Sequence, residues 1–277
     1  MLVLDFDGTI TDAEREGVRF RAGYLDDLAT LTGRPSSEIH ALASRFEAEI
    51  AKDPDHDGWL YNDHIVAPAT VDPYLRIMPV ARKILDACQT LGNATERGRL
   101  LDVLFKYNYP KTEIVFRPGA RELLLALAGQ AVHVVTNSHT EPVQKKIRTL
   151  SHDGDLDWLL DRVHGEARKY VIDDDFTMVP VSMTLPGLSR PVLLRRRHYH
   201  DVLNGLLERA GETWRDLIVV GDIFELDLAL PLAMGARVGL VVNQHTPGHE
   251  KDFLASEPRG HLIDTLAQVG ELVERPS

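Results

Sequence analysis

The sequence predicts an α/β protein, a doubly wound parallel sheet interrupted near its start by a long helical insertion. Three observations carry this. Short apolar runs, each ending in a polar loop, alternate with helical segments over residues 115–245. One such run, Leu2-Val3-Leu4, stands alone at the start of the chain. Between the two, residues 13–114 have helical spacing.

Leu2-Val3-Leu4 is bounded by Asp5-Phe6-Asp7-Gly8-Thr9 and reads as a buried strand ending in a tight loop. Phe20, Tyr24, Leu28 and Leu31 then recur at helical spacing until Gly33-Arg34-Pro35 stops the helix. Ser36 is expected to cap the next helix, which carries Ile39, Leu42, Phe46 and Ile50. Further helices are expected at 78–91 and 95–107, with Cys88 in the core.

After Arg117-Pro118-Gly119 the pattern changes. A helix over 119–128 leads into the strand Ala131-Val132-His133-Val134-Val135, which ends at Thr136-Asn137-Ser138. A helix over 141–150 and a strand near 161–165 follow. Residues 170–195, with Pro180, Pro186 and Pro191, read as an insertion containing a hairpin. A helix over 198–210 precedes the strand Leu217-Ile218-Val219-Val220, which ends at Gly221-Asp222. Val238–Val242 is expected to be the last core strand. The expected division is a core of 1–12 and 115–277 with a helical cap of 13–114 over the carboxyl ends of the strands, where open α/β sheets bind ligands.

Composition excludes several functions. The chain has 277 residues, 44% of them hydrophobic, so it can bury ordinary cores. Its formal charge of −11 repels nucleic-acid backbones and anionic membranes, so neither is an expected partner. No apolar run approaches the roughly 20 residues of a membrane helix. A chain opening directly on a strand, without a basic and apolar leader, and holding one cysteine is expected to be cytoplasmic. Oligomeric state is not legible.

Three expected strand ends carry polar groups that packing would not select: Asp5 and Asp7, Thr136-Asn137-Ser138, and Asp222. In a parallel sheet they converge on one edge. Several carboxylates in one cleft repel unless a cation sits among them. Oxygen ligands with water suit Mg²⁺, which prefers one or two carboxylates plus substrate phosphate oxygens. With that charge neutralised, one carboxylate can attack phosphorus and another can protonate the leaving alcohol. Gly8 lets the backbone bend near a phosphate, and Thr136 and Asn137 can donate hydrogen bonds to it.

Together these residues resemble the haloacid dehalogenase superfamily. Its Asp-x-Asp-x-Thr motif is matched by Asp5-Phe6-Asp7-Gly8-Thr9, its strand ending in Thr or Ser by Val134-Val135-Thr136, and its Gly-Asp motif with a second Asp by Gly221-Asp222 and Asp227. The resemblance covers residues 1–12 and 115–245 and implies a Rossmann-like core. It implies Asp5 as nucleophile, Asp7 as general acid and base, and Mg²⁺ held by Asp5, the Asp7 main-chain carbonyl and Asp222, with Asp227 in support. The second Asp points to the phosphoryl-transfer branch, a phosphatase acting on a small phosphorylated metabolite through an aspartyl-phosphate. A phosphomutase and a non-catalytic module on the same fold are the alternatives. The family's third motif, a cation before proline, has no match here. Lys169 is the first candidate, Arg197 the second, and Arg196 the third.

Other features have ordinary readings. Asp53-Pro54-Asp55-His56-Asp57-Gly58 resembles the start of a calcium loop, but His64 stands where a bidentate Glu belongs, so a solvated loop is expected. Trp59 and Tyr61 read as packing residues.

Overall fold

The structure, a computed structural model, describes residues 1–274. In chain order the strands are β1 (Leu2–Leu4), β2 (Gly58–Tyr61), β3 (His64–Pro68), β4 (Val132–Val135), β5 (Val163–His164), β6 (Ser182–Met183), β7 (Val192–Leu193), β8 (Ile218–Gly221), β9 (Arg237–Val241) and β10 (Gly260–Ile263). The helices are α1 (Ala13–Glu16), α2 (Val18–Thr32), α3 (Ser36–Ile50), α4 (Pro73–Ala87), α5 (Ala94–Asn108), α6 (Ala120–Ala126), α7 (Thr140–Leu150), α8 (Arg197–Ala210), α9 (Ala229–Met234), α10 (Gly248–Ser256) and α11 (Ala267–Glu274). None of them is long and apolar enough to cross a membrane.

The chain divides into two compact units. The first holds Met1–Asp12, Leu60–Ala67 and the described chain from Phe116 onward; the second holds Ala13–Trp59 and Pro68–Val115.

The first unit is built on a six-stranded sheet in the order β10-β9-β8-β1-β4-β5. Each neighbouring pair is parallel. Alternation along the strands sends side chains to two cores. Val3, Val135, Val219, Val238 and Leu240 pack with Leu203, Leu206 and Leu207 of α8 and with α9 and α10. Leu2, Leu4, Val132, Val134, Ile218 and Val220 pack with Leu123 and Leu124 of α6, Val143 and Ile147 of α7, and Val269 and Leu272 of α11. Helices on both faces make the sheet doubly wound. Edge strand β10 lies beyond the expected last strand; Gly260-His261-Leu262-Ile263 is too short and mixed to announce itself.

The second unit packs α2, α3, α4 and α5 around Phe20, Tyr24, Leu28, Ile39, Phe46, Ile77, Ile84 and Leu101. Helix α4 begins earlier than the spacing of apolar residues predicts. Asp72 caps it, accepting from the Tyr74 and Leu75 amides at 2.6 and 3.3 Å, and Pro73 takes the first helical position. Ser36 does not cap α3; Pro35 precedes the helix, and the Ser36 hydroxyl donates to Asp26 Oδ1 at 2.8 Å. Cys88 is half-buried against this core rather than inside it.

Residues 13–114 are not all helical. Strands β2 and β3 form a two-stranded sheet whose connecting residues Asn62 and Asp63 have φ of 47° and 62°. Two successive left-handed residues of this type make a tight hairpin turn. In the 170–195 segment, β6 and β7 pair antiparallel, Ser182 opposite Leu193.

Candidate active site

The carboxyl ends of β1, β4 and β8 bring Asp5, Thr136 and Asp222 to one edge of the sheet. Asp5 follows β1 directly, and its amide donates to the Val220 carbonyl at 2.8 Å, continuing the ladder to β8. Gly8 has a φ of +82°, and a Cβ placed there would lie 2.1 Å from Asp222 Oδ2. The loop therefore requires glycine twice over, for its backbone and for the carboxylate seated against it. Thr9 Oγ1 donates to Asp5 Oδ2 at 3.3 Å.

Beyond β8 the chain makes a π-helical turn over Phe224–Leu228, a form that recurs at functional sites. The turn returns Asp227 to the strand end. Its Oδ2 accepts from the Ile223 amide at 3.0 Å, and a Cβ at Gly221 would lie 2.4 Å from Asp227 Cβ. Asp5, Asp222 and Asp227 are all buried, and they offer ligand oxygens within 4.8 Å of one another.

Lys169 sits among them, 1% exposed, its Nζ donating to Asp5 Oδ1 at 2.6 Å and Asp227 Oδ1 at 2.8 Å. Its loop is built for this. Glu166 and Arg168 hold left-handed backbone at φ of 54° and 44°, a conformation that costs such residues energy. The loop is pinned where Glu166 N donates to Ser138 O at 2.8 Å, Ala167 N to Thr136 O at 2.9 Å, and Lys169 N to Asn137 Oδ1 at 2.8 Å. Arg196, fully buried, donates to the carbonyls of Lys169, Leu193 (3.1 Å) and Val66 (2.9 Å).

Burial pushes the Asp5 carboxyl up from its ordinary value, with the Lys169 ammonium opposing it and Asp227 adding to the rise. Burial also works against the charge on Lys169, but the Asp227 and Asp5 carboxylates outweigh it and hold the amine protonated. A divalent ion beside Asp5 would favour its ionised form.

The sequence candidates separate clearly. Asp5, Asp222, Asp227 and Lys169 form one contact cluster. Thr136 and Asn137 border it, but Asn137 spends its side-chain oxygen on the Lys169 amide. Asp7 turns its carboxylate aside: Oδ2 accepts from Ser138 Oγ at 2.6 Å and Oδ1 from Lys146 Nζ at 2.8 Å. Arg197 stands outside. It opens α8, is exposed, and pairs with Asp173. Of the three cation candidates only Lys169 touches Asp5; Arg196 supports its loop from behind.

Lys146 is the residue that sequence reasoning missed. It lies one residue before buried Ile147 on α7, where amphipathic spacing gives a lysine no sign of a partner in the loop after β1.

All-oxygen donors, the buried carboxylates of Asp5, Asp222 and Asp227, suit a hard divalent cation such as Mg²⁺.

Comparison with known proteins agrees with this fold. No curated protein matches the sequence. The fold is similar to that of a protein from Haemophilus somnus described as a predicted phosphoglycolate phosphatase, at 15% identity and a TM-score of 0.55, over 99% of this chain and 97% of that one. It is similar to the HAD-hydrolase YfnB of Bacillus subtilis bound to magnesium, at 15% identity and a TM-score of 0.55, over 99% and 98% of the two chains. A HAD family hydrolase from Deinococcus radiodurans, with bound phosphate and sodium, aligns at 14% identity and a TM-score of 0.52, over 99% and 94%. The family model for haloacid dehalogenase-like hydrolases matches residues 1–235. That match covers most of the chain and its three acidic and hydroxyl strand ends, and the protein belongs to the haloacid dehalogenase-like hydrolase family.

Proposed function

We propose that the protein is a Mg²⁺-dependent phosphatase that hydrolyses a small phosphorylated metabolite through a phosphorylated Asp5. The observation that carries this reading is the contact of Lys169 with Asp5 beside Asp222. It supports a reading in which Asp5 is the nucleophile, Lys169 its fixed cation and Asp222 a metal ligand, all at one strand edge. The Haemophilus relative described as a phosphatase and the Deinococcus relative with bound phosphate point to the same class of substrate.

Asp5 and Asp222 would hold the Mg²⁺, together with the Asp7 carbonyl, and Asp227 would steady the set through Lys169. The ion would neutralise phosphate charge, so that an anionic nucleophile can approach phosphorus. One Asp5 oxygen attacks, the bond from phosphorus to the alkoxide oxygen breaks, and the Asp7 carboxyl gives that oxygen its proton. Water then attacks the acyl phosphate and returns a proton to Asp7, releasing inorganic phosphate and restoring Asp5. Lys169 holds Asp5 in place and offsets charge on the transferring group. A cytoplasmic location fits such a substrate.

A panel of phosphorylated metabolites, assayed with and without Mg²⁺, tests the assignment. Wild type is expected to release phosphate only with the ion, and Asp5→Asn to release none while keeping its melting temperature. Full turnover by Asp5→Asn would overturn it.

A further inference from the structure

We infer that Lys146 is a positioning residue for the leaving-group step, fixing the Asp7 carboxyl through a hydrogen bond to its Oδ1. The inference rests on the reading of Asp7 as the proton donor to the leaving alcohol. Three contacts support it. Lys146 Nζ donates to Asp7 Oδ1 at 2.8 Å. Ser138 Oγ donates to Asp7 Oδ2 at 2.6 Å, so each carboxyl oxygen has a donor from outside its own loop. The Lys146 ammonium also lies 5.9 Å from the centre of the Phe6 ring, and Phe6 is wholly buried between the two aspartates in the chain.

A carboxylate offers about four lone-pair positions. Two donors fix its plane and leave the other positions open to the substrate. An acid on a side chain with two free torsions would otherwise sample several rotamers, and proton transfer needs one geometry. Neither partner is fully exposed, with side-chain exposures of 21% for Lys146 and 27% for Asp7, so the pair is only partly screened by water. The neighbouring Lys145 is exposed on the outer side of α7 and serves as an internal control.

The test uses leaving groups of different quality. An alkyl phosphate such as glycerol phosphate needs its departing oxygen protonated; 2,4-dinitrophenyl phosphate does not. For Lys146→Met, kcat on the alkyl ester should fall at least about tenfold more than kcat on the dinitrophenyl ester, a fraction of what general acid catalysis supplies. Lys146→Arg should restore most of the ratio, and Lys145→Met should leave it at the wild-type value. Equal losses on both esters, or a ratio in Lys146→Arg as poor as in Lys146→Met, would overturn the inference. Asp7→Asn separates the two layers. It should show the leaving-group effect in full; if it shows none, the role given to Asp7 fails. If it shows the effect and Lys146→Met does not, only the role given to Lys146 fails.

Discussion

Asn137 Oδ1 accepts the main-chain N–H of Lys169 at 2.8 Å, tying the end of β4 to the residue that contacts Asp5. The asparagine thus acts on the nucleophile at one remove, through the backbone that carries its cation. The bond is part-buried. Leaving such an amide unsatisfied costs about 1–3 kcal/mol.

Asn137→Ala is therefore expected to lower kcat for phosphate release roughly ten- to hundredfold, the range that follows if most of that free energy is lost from the transition state. The melting temperature should fall as well, by about 2–4 °C per kcal/mol, without loss of the fold, because the loop keeps its bonds from Glu166 to Ser138 and from Ala167 to Thr136. Steady-state kinetics beside a thermal melt will show it; unchanged kcat would mean that Lys169 is held without Asn137.

Much of this was legible in the sequence, for identifiable reasons. Parallel strands buried on both faces read as unbroken apolar runs, which is why Leu2–Leu4, Val132–Val135 and Ile218–Val220 stand out. Polar residues directly after such runs mark the strand ends, and Asp5, Thr136 and Asp222 all lie there. The hairpin of β2 and β3 was obscured by helical spacing on either side, although Asn62-Asp63 carried the turn signal. Residue order could not separate Lys169 from Arg196 and Arg197. The separation depends on a loop with two left-handed residues and on which way α8 turns its first residues. Lys146 was invisible because its partner stands 139 positions away.

His133 and His164 stand side by side on β4 and β5, Nδ1 to Nε2 at 3.1 Å. Burial, helped by the neighbouring imidazole and by Arg162 and Arg209, pushes His133 down from 6.5 to about 4. Burial also lowers His164, with Arg209 adding to it. The unfolded chain therefore binds more protons than the folded one between those values. The stabilising difference is complete above pH 6.5 and is lost as the pH falls toward 4. His133 is half-buried, so solvent screening reduces the effect to about 1 kcal/mol. Chemical denaturation at pH 7.5 and 4.5 should show wild type losing more stability on acidification than His133→Leu. Parallel losses in the two proteins would remove the pair as a source of acid sensitivity.

Glu250 on α10 is fully buried, and neither carboxyl oxygen has a hydrogen-bond partner among the described residues. Nearby, Arg190 is committed to Glu225, at 2.9 and 2.5 Å. Burial pushes the Glu250 carboxyl well above its ordinary value, Glu225 and Asp227 add to the rise, and Arg190 opposes it. A carboxyl raised on folding binds its proton more tightly in the native state. It therefore subtracts stability as the pH climbs above about 4.5, the value expected in the unfolded chain. Replacing a buried ionisable group with a packed apolar one of similar size is often neutral or stabilising, by about 1–4 kcal/mol. Glu250→Leu is expected to raise stability by about 1–2 kcal/mol at pH 8 and by less at pH 5, leaving the Arg190–Glu225 pair in place. Urea unfolding at the two pH values measures this directly. A Glu250→Leu protein less stable than wild type at pH 8 would show that the carboxyl has a partner worth more than its burial costs.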